Sequence, residues 1–250
     1  MNHLDLSGKN IMITGASSGI GRQTAIELSE KGARLFITGK TPEKLDETFD
    51  KLHGDGHIKF AADLADIKQI DELISHIPEL DGFVHSAGIS IMVPIKYIKA
   101  ENIREVFAVN YESAVFIISK AFAQKKIARK ASLVFISSLA TTNPLFGGSL
   151  YAGSKLALEG FSKTLSVEYS SKGIRSNCIC PAYVFSPMID EAKQNLSAEF
   201  IEKFKTMHPN GFGYPDDVAH IISFLLSDNS RWINGQNINL GTFNINIPSI

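Results

Sequence analysis

Thiols are scarce in this 250-residue chain: there are two, Cys178 and Cys180, standing two residues apart. That spacing is poor for a bridge, so a disulfide scaffold is excluded and a reducing compartment fits. Charge of one sign is equally lacking, since 25 Lys+Arg oppose 26 Asp+Glu for a net charge of −1. With no basic excess, neither nucleic acid nor an anionic membrane is an expected partner. No uninterrupted apolar run approaches the ~18 residues that span a bilayer. The polar start, Met1 to Asn10, lacks the apolar stretch of a signal peptide. Proline-rich or Gly/Ser linkers, internal repeats and low-complexity tracts are absent as well. The expectation is a single cytoplasmic globular domain over 1–250, and 44% hydrophobic residues are ordinary for a packed core.

What is present alternates. Strand-like runs at 10–14, 34–38, 58–61, 82–85, 132–137, 175–180 and 237–240 are separated by helix-like stretches. The helices read as 19–31, 42–53, 67–76, 101–125, 151–172 and 215–226, with Lys31 in the last turn of the first and Gly32 closing it. The SLVFIS run at 132–137 is almost wholly apolar, as expected for a strand covered on both faces. Such alternation predicts parallel strands with right-handed crossovers. The fold class is therefore α/β, a single-domain doubly wound (Rossmann) fold with a seven-stranded parallel sheet and helices on both faces. A segment at about 185–212 breaks the rhythm, with a helix expected at 198–207. Ligands in these sheets sit beyond the carboxyl ends of the strands, so this excursion is a candidate substrate lid.

Two motifs carry chemistry. The first strand runs straight into Thr14-Gly15-Ala16-Ser17-Ser18-Gly19-Ile20-Gly21 and then a helix. Glycines there permit a tight bend and close approach of a pyrophosphate, toward which the helix N-terminus directs free N–H groups. A glycine-rich turn without a ligand is the plainer reading, but the strand–turn–helix context favours the phosphate. Tyr151 and Lys155, four apart, share one helix face at the carboxyl end of the fifth strand. The plainer reading of that pair is a lysine stacked on an aromatic ring. Seven histidines show no HExxH spacing, and the two cysteines lie on a strand without companions, so no metal is expected.

Together these residues resemble the short-chain dehydrogenase/reductase family, specifically its compact members, over essentially the whole chain. TGASSGIG at 14–21 is similar to the family's TGxxxGxG, and YAGSK at 151–155 to its YxxxK. Ser138 and Asn110 (in AVN) match the remaining members of the family's catalytic tetrad. Asp63-Leu64 matches the segment that contacts the adenine, and RSNCICPA at 175–182 resembles the RxNxxxPG stretch that closes over the nicotinamide. The resemblance implies hydride transfer between a nicotinamide cofactor and a carbonyl/alcohol substrate. It implies cofactor contacts from Gly15, Ser17, Ser18, Gly19, Ile20, Gly21, Asp63, Leu64, Ala87, Gly88, Tyr151, Lys155, Pro181, Val184 and Ser186. Tyr151 would be the acid/base, its hydroxyl lowered toward neutrality by Lys155 and by the positive nicotinamide ring of the oxidised cofactor, with Lys155 also holding the nicotinamide ribose. Ser138 would stabilise the substrate oxygen, and Asn110 would hold a water that relays protons to Lys155.

Three departures stand out. His85-Ser86-Ala87-Gly88 replaces the usual NNAG, and His85 is expected to tie strands together through a ring nitrogen. Ala182 replaces a glycine, and Ser186 stands near the usual threonine. HPNGFGYPDDVA at 208–219 resembles the matching stretch of 3-oxoacyl carrier-protein reductases. A non-catalytic dinucleotide sensor, or a sugar- or steroid-type alcohol dehydrogenase of the same family, are the alternatives; epimerases and dehydratases are usually longer.

Two further expectations follow. In dinucleotide folds an acid about 20 residues past the glycines holds the adenosine 2′-hydroxyl. That position falls on Gly39, with no carboxylate beside it and Lys40 next. NADP(H) is therefore the expected preference, with NAD(H) possible; Lys40 would pair with the 2′-phosphate, aided by Ser17, Thr41 and Arg22. Small residues Ala152, Gly153, Ala157 and Gly160 on the Tyr151 helix suggest a homo-oligomer, a tetramer as in the family, built on that helix and 101–125.

Overall fold

The computed structural model describes residues 4–185 and 211–241. The strands are β1 (Asn10–Thr14), β2 (Arg34–Gly39), β3 (Ile58–Ala61), β4 (Leu80–His85), β5 (Ile127–Ile136), β6 (Arg175–Pro181) and β7 (Asn237–Leu240). They form one sheet in the order β3-β2-β1-β4-β5-β6-β7, and every pair is parallel. Strand order therefore reverses between β1 and β4, the crevice where such sheets bind ligands.

The described helices are α1 (Gly19–Glu30), α2 (Pro42–Phe49), α3 (Ile67–His76), α4 (Ala100–Phe107), α5 (Ser113–Ala123), α6 (Ser149–Glu168) and α7 (Pro215–Leu226). Successive strand residues face opposite layers. Met12, Phe83 and Phe135 join Ile117 and Leu158 in one core, while Ile13, Val84 and Val134 join Leu28 and Ile222 in the other. Both faces are dry, which explains the continuous apolar runs. Full burial of each such side chain contributes ~1.5–3 kcal/mol.

Several boundaries differ from expectation. β5 starts at Ile127 because Lys130, in the left-handed region at φ 64°, and a register shift opposite Leu80/Gly82 let an irregular lead-in pair with β4. α2 stops at Phe49, short of His53. Lys31 is the C-cap of α1, and its ammonium reaches back to Glu27 at 3.0 Å. α6 begins at Ser149 and ends at Glu168, followed by a 3₁₀ turn over Ser170–Lys172.

The stretch expected as one helix over 101–125 is α4 and α5 joined by a π turn, Ala108–Glu112. By length and composition Ala100–Ala123 is apolar enough to cross a membrane. Here it buries Val106, Ala114, Ile117, Ile118 and Ala121 within this fold. Ser186, the helix expected at 198–207 and most of the candidate lid lie outside the described residues. The excursion's two ends are described. They are stitched together, Phe185 N–H donating to the Gly213 carbonyl at 2.8 Å and Gly213 N–H to the Tyr183 carbonyl at 2.9 Å.

Candidate active site

The switch point gathers the expected residues on one edge of the sheet. β1 ends in Thr14 and turns through Gly15, whose φ of +68° favours glycine. A Cβ on Gly15 would lie 2.6 Å from the Ala87 nitrogen, and one on Gly21 would lie 2.3 Å from the Gly15 carbonyl oxygen. The three segments touch backbone to backbone, which only glycine allows. Ser18 is the N-cap of α1 and makes no side-chain cap, and the first turn holds no acid. The free N–H groups at that terminus are therefore open to an anion. The Ser17 hydroxyl is buried with no protein partner. Backbone cradle, uncapped helix end and orphaned hydroxyl fit the pyrophosphate and adenosine ribose of a dinucleotide.

Arg22 does not contribute a free cation. Its guanidinium donates to the Ser17 carbonyl at 2.6 Å, the Lys44 carbonyl at 3.0 Å and Thr48 Oγ1 at 2.9 Å, and pairs with Glu47 at 3.0 Å. It buttresses the glycine turn instead. Lys40, directly after β2, pairs with Asp63 after β3 at 2.8 Å. Each shifts the other: the ammonium is raised and the carboxyl lowered by their hydrogen bond. Asp63 was expected at the adenine, and Lys40 at the 2′-phosphate; the fold makes them partners. Gly39 is closed off as well, since a Cβ there would meet the Ser17 Oγ at 1.9 Å.

Across the crevice, β5 delivers Ser138 and α6 delivers Tyr151 and Lys155. The Ser138 Oγ accepts the Ala140 N–H at 3.1 Å and stands close enough to the Tyr151 hydroxyl to lower it. Lys155 is buried, donates to the Ile136 carbonyl at 2.8 Å, and lies 5.7 Å from the centroid of the Tyr151 ring. Burial pushes Lys155 down to about 8. Burial also raises the Tyr151 hydroxyl, against a smaller lowering by Ser138. This corrects the expected lowering by Lys155. In the free protein desolvation wins, and Tyr151 holds its proton.

Asn110 sits in the π turn, buried. Its side chain is spent on the chain itself: Oδ1 accepts the Ile89 N–H at 2.8 Å, and Nδ2 donates to the Ile89 carbonyl at 2.9 Å and Ser154 Oγ at 3.0 Å. The side chain is thus not free to hold a relay water, and that task would fall to the main chain. A Cβ on Gly88 would lie 3.2 Å from Lys155 Nζ and 3.4 Å from Asn110 Oδ1, so these three groups converge. His85 ties strands as expected, its Nδ1 lying 3.0 Å from Thr14 Oγ1.

Ala87 and Gly88 follow β4, Leu64 is buried after β3, and Pro181 and Val184 mark the end of β6. Arg175 and Asn177 lie at the far end of that strand. Arg175 donates to the Leu225 carbonyl at 2.7 Å, and Asn177 to the Ile233 carbonyl at 3.0 Å, so they brace α7 and the turn after it rather than the site. Cys178 and Cys180 are buried free thiols, both pushed up to about 12 by desolvation. Sequence reasoning missed Tyr183. Its hydroxyl is pushed up to about 12 by burial and then by Tyr151, which places the two phenols near one another. An aromatic residue directly after Pro181-Ala182 was the available signal.

A profile of the family described as short chain dehydrogenase matches residues 9–197. The chain is 34% identical over 239 residues to the 3-oxoacyl-(acyl-carrier-protein) reductase of Rickettsia conorii, a match covering 95% of this chain and 97% of that protein. It is 31% identical to a hydroxynaphthalene reductase of Aspergillus fumigatus, over 94% of this chain and 91% of that one. The crystal structure of a levodione reductase matches with a TM-score of 0.87 at 25% identity, covering 94% of this chain and 97% of the other.

Proposed function

The chain belongs to the short-chain dehydrogenase/reductase family and is an NAD(P)-dependent oxidoreductase of the ketoreductase kind, and on that premise we propose that it reduces a 3-oxoacyl-type ketone with NADPH preferred. The observation that carries this reading is the convergence of Ser138, Tyr151 and Lys155 beside the glycine turn. When bound, the nicotinamide supplies or accepts the hydride. Tyr151, which keeps its proton in the free protein, donates it to the carbonyl oxygen as that oxygen gains charge. The Ser138 hydroxyl accepts the Ala140 N–H and donates its own proton to the substrate oxygen once the carbonyl is bound. Lys155 spends one N–H on Ile136 and has two left for ribose hydroxyls or a water on the Asn110 main chain. Oxidation of NADPH on addition of a 3-oxoacyl thioester tests the reading. Activity confined to sugar or steroid alcohols would remove the acyl assignment and keep the oxidoreductase.

The cofactor preference rests on Lys40 and on the lack of an acid at Gly39. The Lys40 side chain is 77% exposed and that of Asp63 32%. An exposed pair of this sort contributes ~0–1 kcal/mol. A 2′-phosphate that exchanges with Asp63 therefore gains little from Lys40 alone, and the unpartnered Ser17 hydroxyl adds a donor. The expected preference in kcat/KM is about 10-fold for NADPH, or ~1.4 kcal/mol, and Lys40→Ala should reduce it. Equal or better use of NADH by the unaltered protein would sink the assignment. Reversal by Gly39→Asp also requires Ser17 to give way, because its hydroxyl fills the space of that Cβ.

A homotetramer with two-fold axes is the assembly we propose, formed by α6 and the α4–α5 stretch in a cytoplasmic enzyme. At Gly160 an added Cβ meets nothing within 4 Å, so packing in this subunit does not require glycine there. Leu156 and Val167 on the same helix are 50% and 75% exposed. Gly160→Leu should reduce the mass seen by light scattering while the circular dichroism stays native. A wild-type protein monomeric at micromolar concentration would reject the assembly.

A further inference from the structure

His85 is 0% exposed, set on the α6-facing side of β4 beside the Phe83 and Phe135 rings, 6.2 and 6.5 Å away between centroids. Its register partner is Thr14. Thr14 Oγ1 accepts the Ala87 N–H at 3.2 Å and lies 3.0 Å from His85 Nδ1. With the Thr14 hydroxyl as donor, Nδ1 is the acceptor and the neutral ring carries its proton on Nε2. Burial, and after it the Lys155 ammonium, push the imidazole down to about 3, so the ring is uncharged near neutral pH. Nε2 is buried and lacks a protein partner within hydrogen-bonding distance. A smaller, opposing pull on the imidazole comes from the Asn110 main chain in the π turn, which makes no hydrogen bond to Nε2. An N–H left unpaired in such surroundings is costly, and π turns recur at functional sites.

The segment leaving His85 completes the connection. Ala87 is held by Thr14, Gly88 packs on Lys155 Nζ and Asn110 Oδ1, and both backbone groups of Ile89 are held by the Asn110 side chain. We propose that His85 is a positioning residue for the reaction: through Thr14 its neutral ring fixes the Ala87-Gly88 segment, and thereby sets where Lys155 stands against Gly88. This rests on the oxidoreductase reading above, in which Lys155 serves Tyr151 and the ribose. A residue that only tied strands would act on stability alone.

The test has two arms. His85→Leu removes the contact to Thr14, and kcat should fall about 10-fold, the effect of one lost buried hydrogen bond. The cofactor Kd should stay within about threefold, and His85→Asn, which keeps a donor and an acceptor, should recover most of the loss. The second arm needs no turnover. With ¹⁵N-labelled histidine, the His85 ring nitrogens should shift with a midpoint at about pH 8 as Lys155 loses its proton. The shift should vanish in Lys155→Met. Lys155 is faced by Tyr151 on its own helix, His85 on β4 and the two thiols on β6, with Glu159 behind them. The phenol is raised and the thiols stand at about 12, so neither titrates near pH 8.

A shift at about pH 8 in a protein inactive toward every carbonyl would support the link and overturn only the oxidoreductase reading. Absence of that shift, or His85→Leu with unchanged kcat and a lower melting temperature, overturns the proposal. If His85→Leu does not fold, the titration and His85→Asn decide.

Discussion

Tyr151→Phe is expected to lower kcat at least ~100-fold, the lower bound for a lost general acid, while cofactor affinity changes little. The substitution keeps the ring beside Lys155 and deletes only the hydroxyl that Ser138 contacts. The site's other groups offer no substitute proton at the same place. The Ser138 hydroxyl is a poor acid, and Lys155 is held against the Ile136 carbonyl at 2.8 Å. Tyr183 is the nearest rival phenol, and burial holds it at about 12. Near-normal turnover in Tyr151→Phe would remove Tyr151 from the mechanism. The wild-type pH profile is a companion measurement. Lys155 is charged below about 8 and neutral above it, so kcat/KM should fall as pH rises through that value. A flat profile between about pH 7 and 9 would show that its charge is not needed for catalysis.

Gly21→Ala should damage both the fold and cofactor binding. Its Cβ would stand 2.3 Å from the Gly15 carbonyl oxygen, a backbone atom that no rotamer change can move. Gly15 in turn is pressed on Ala87, so the strain passes from α1 through the turn to the end of β4. Overpacking of this kind costs ~1–3 kcal/mol. For a chain of this size that corresponds to a melting temperature lower by roughly 2–12 °C. Because the same backbone forms the anion cradle, cofactor affinity should fall at least ~10-fold. Calorimetry of the free protein and titration with NADP+ measure the two effects separately. A variant matching the wild type in both would show that the turn is looser than its contacts indicate.

Local pattern was a good guide wherever a single segment decides its own state. β1, β3, β7, α3 and α7 fall where expected because apolar periodicity, Pro215 in the first turn of α7 and glycine at the turns act over a few residues. Fold class followed from strand–helix alternation, and the approach of Tyr151 and Lys155 to one sheet edge from their place just beyond β5, whereas Ser138 came from the family resemblance. What the pattern could not supply were partners distant in sequence. Lys40 and Asp63 each looked like a ligand for the cofactor, yet parallel pairing of β2 with β3 sets their side chains face to face. Arg22 looked like a spare cation until α2 brought it Thr48 and Glu47. The π turn at Asn110 has no local signature, and the Tyr151 hydroxyl is raised by burial that only the assembled layers create. The sequence alone determined the order of strands and helices and brought Tyr151 and Lys155 to the edge beyond β5, because periodicity and turn chemistry are short-range. Tertiary structure alone decided the charge state and availability of those side chains, because desolvation and ion pairing depend on neighbours in space.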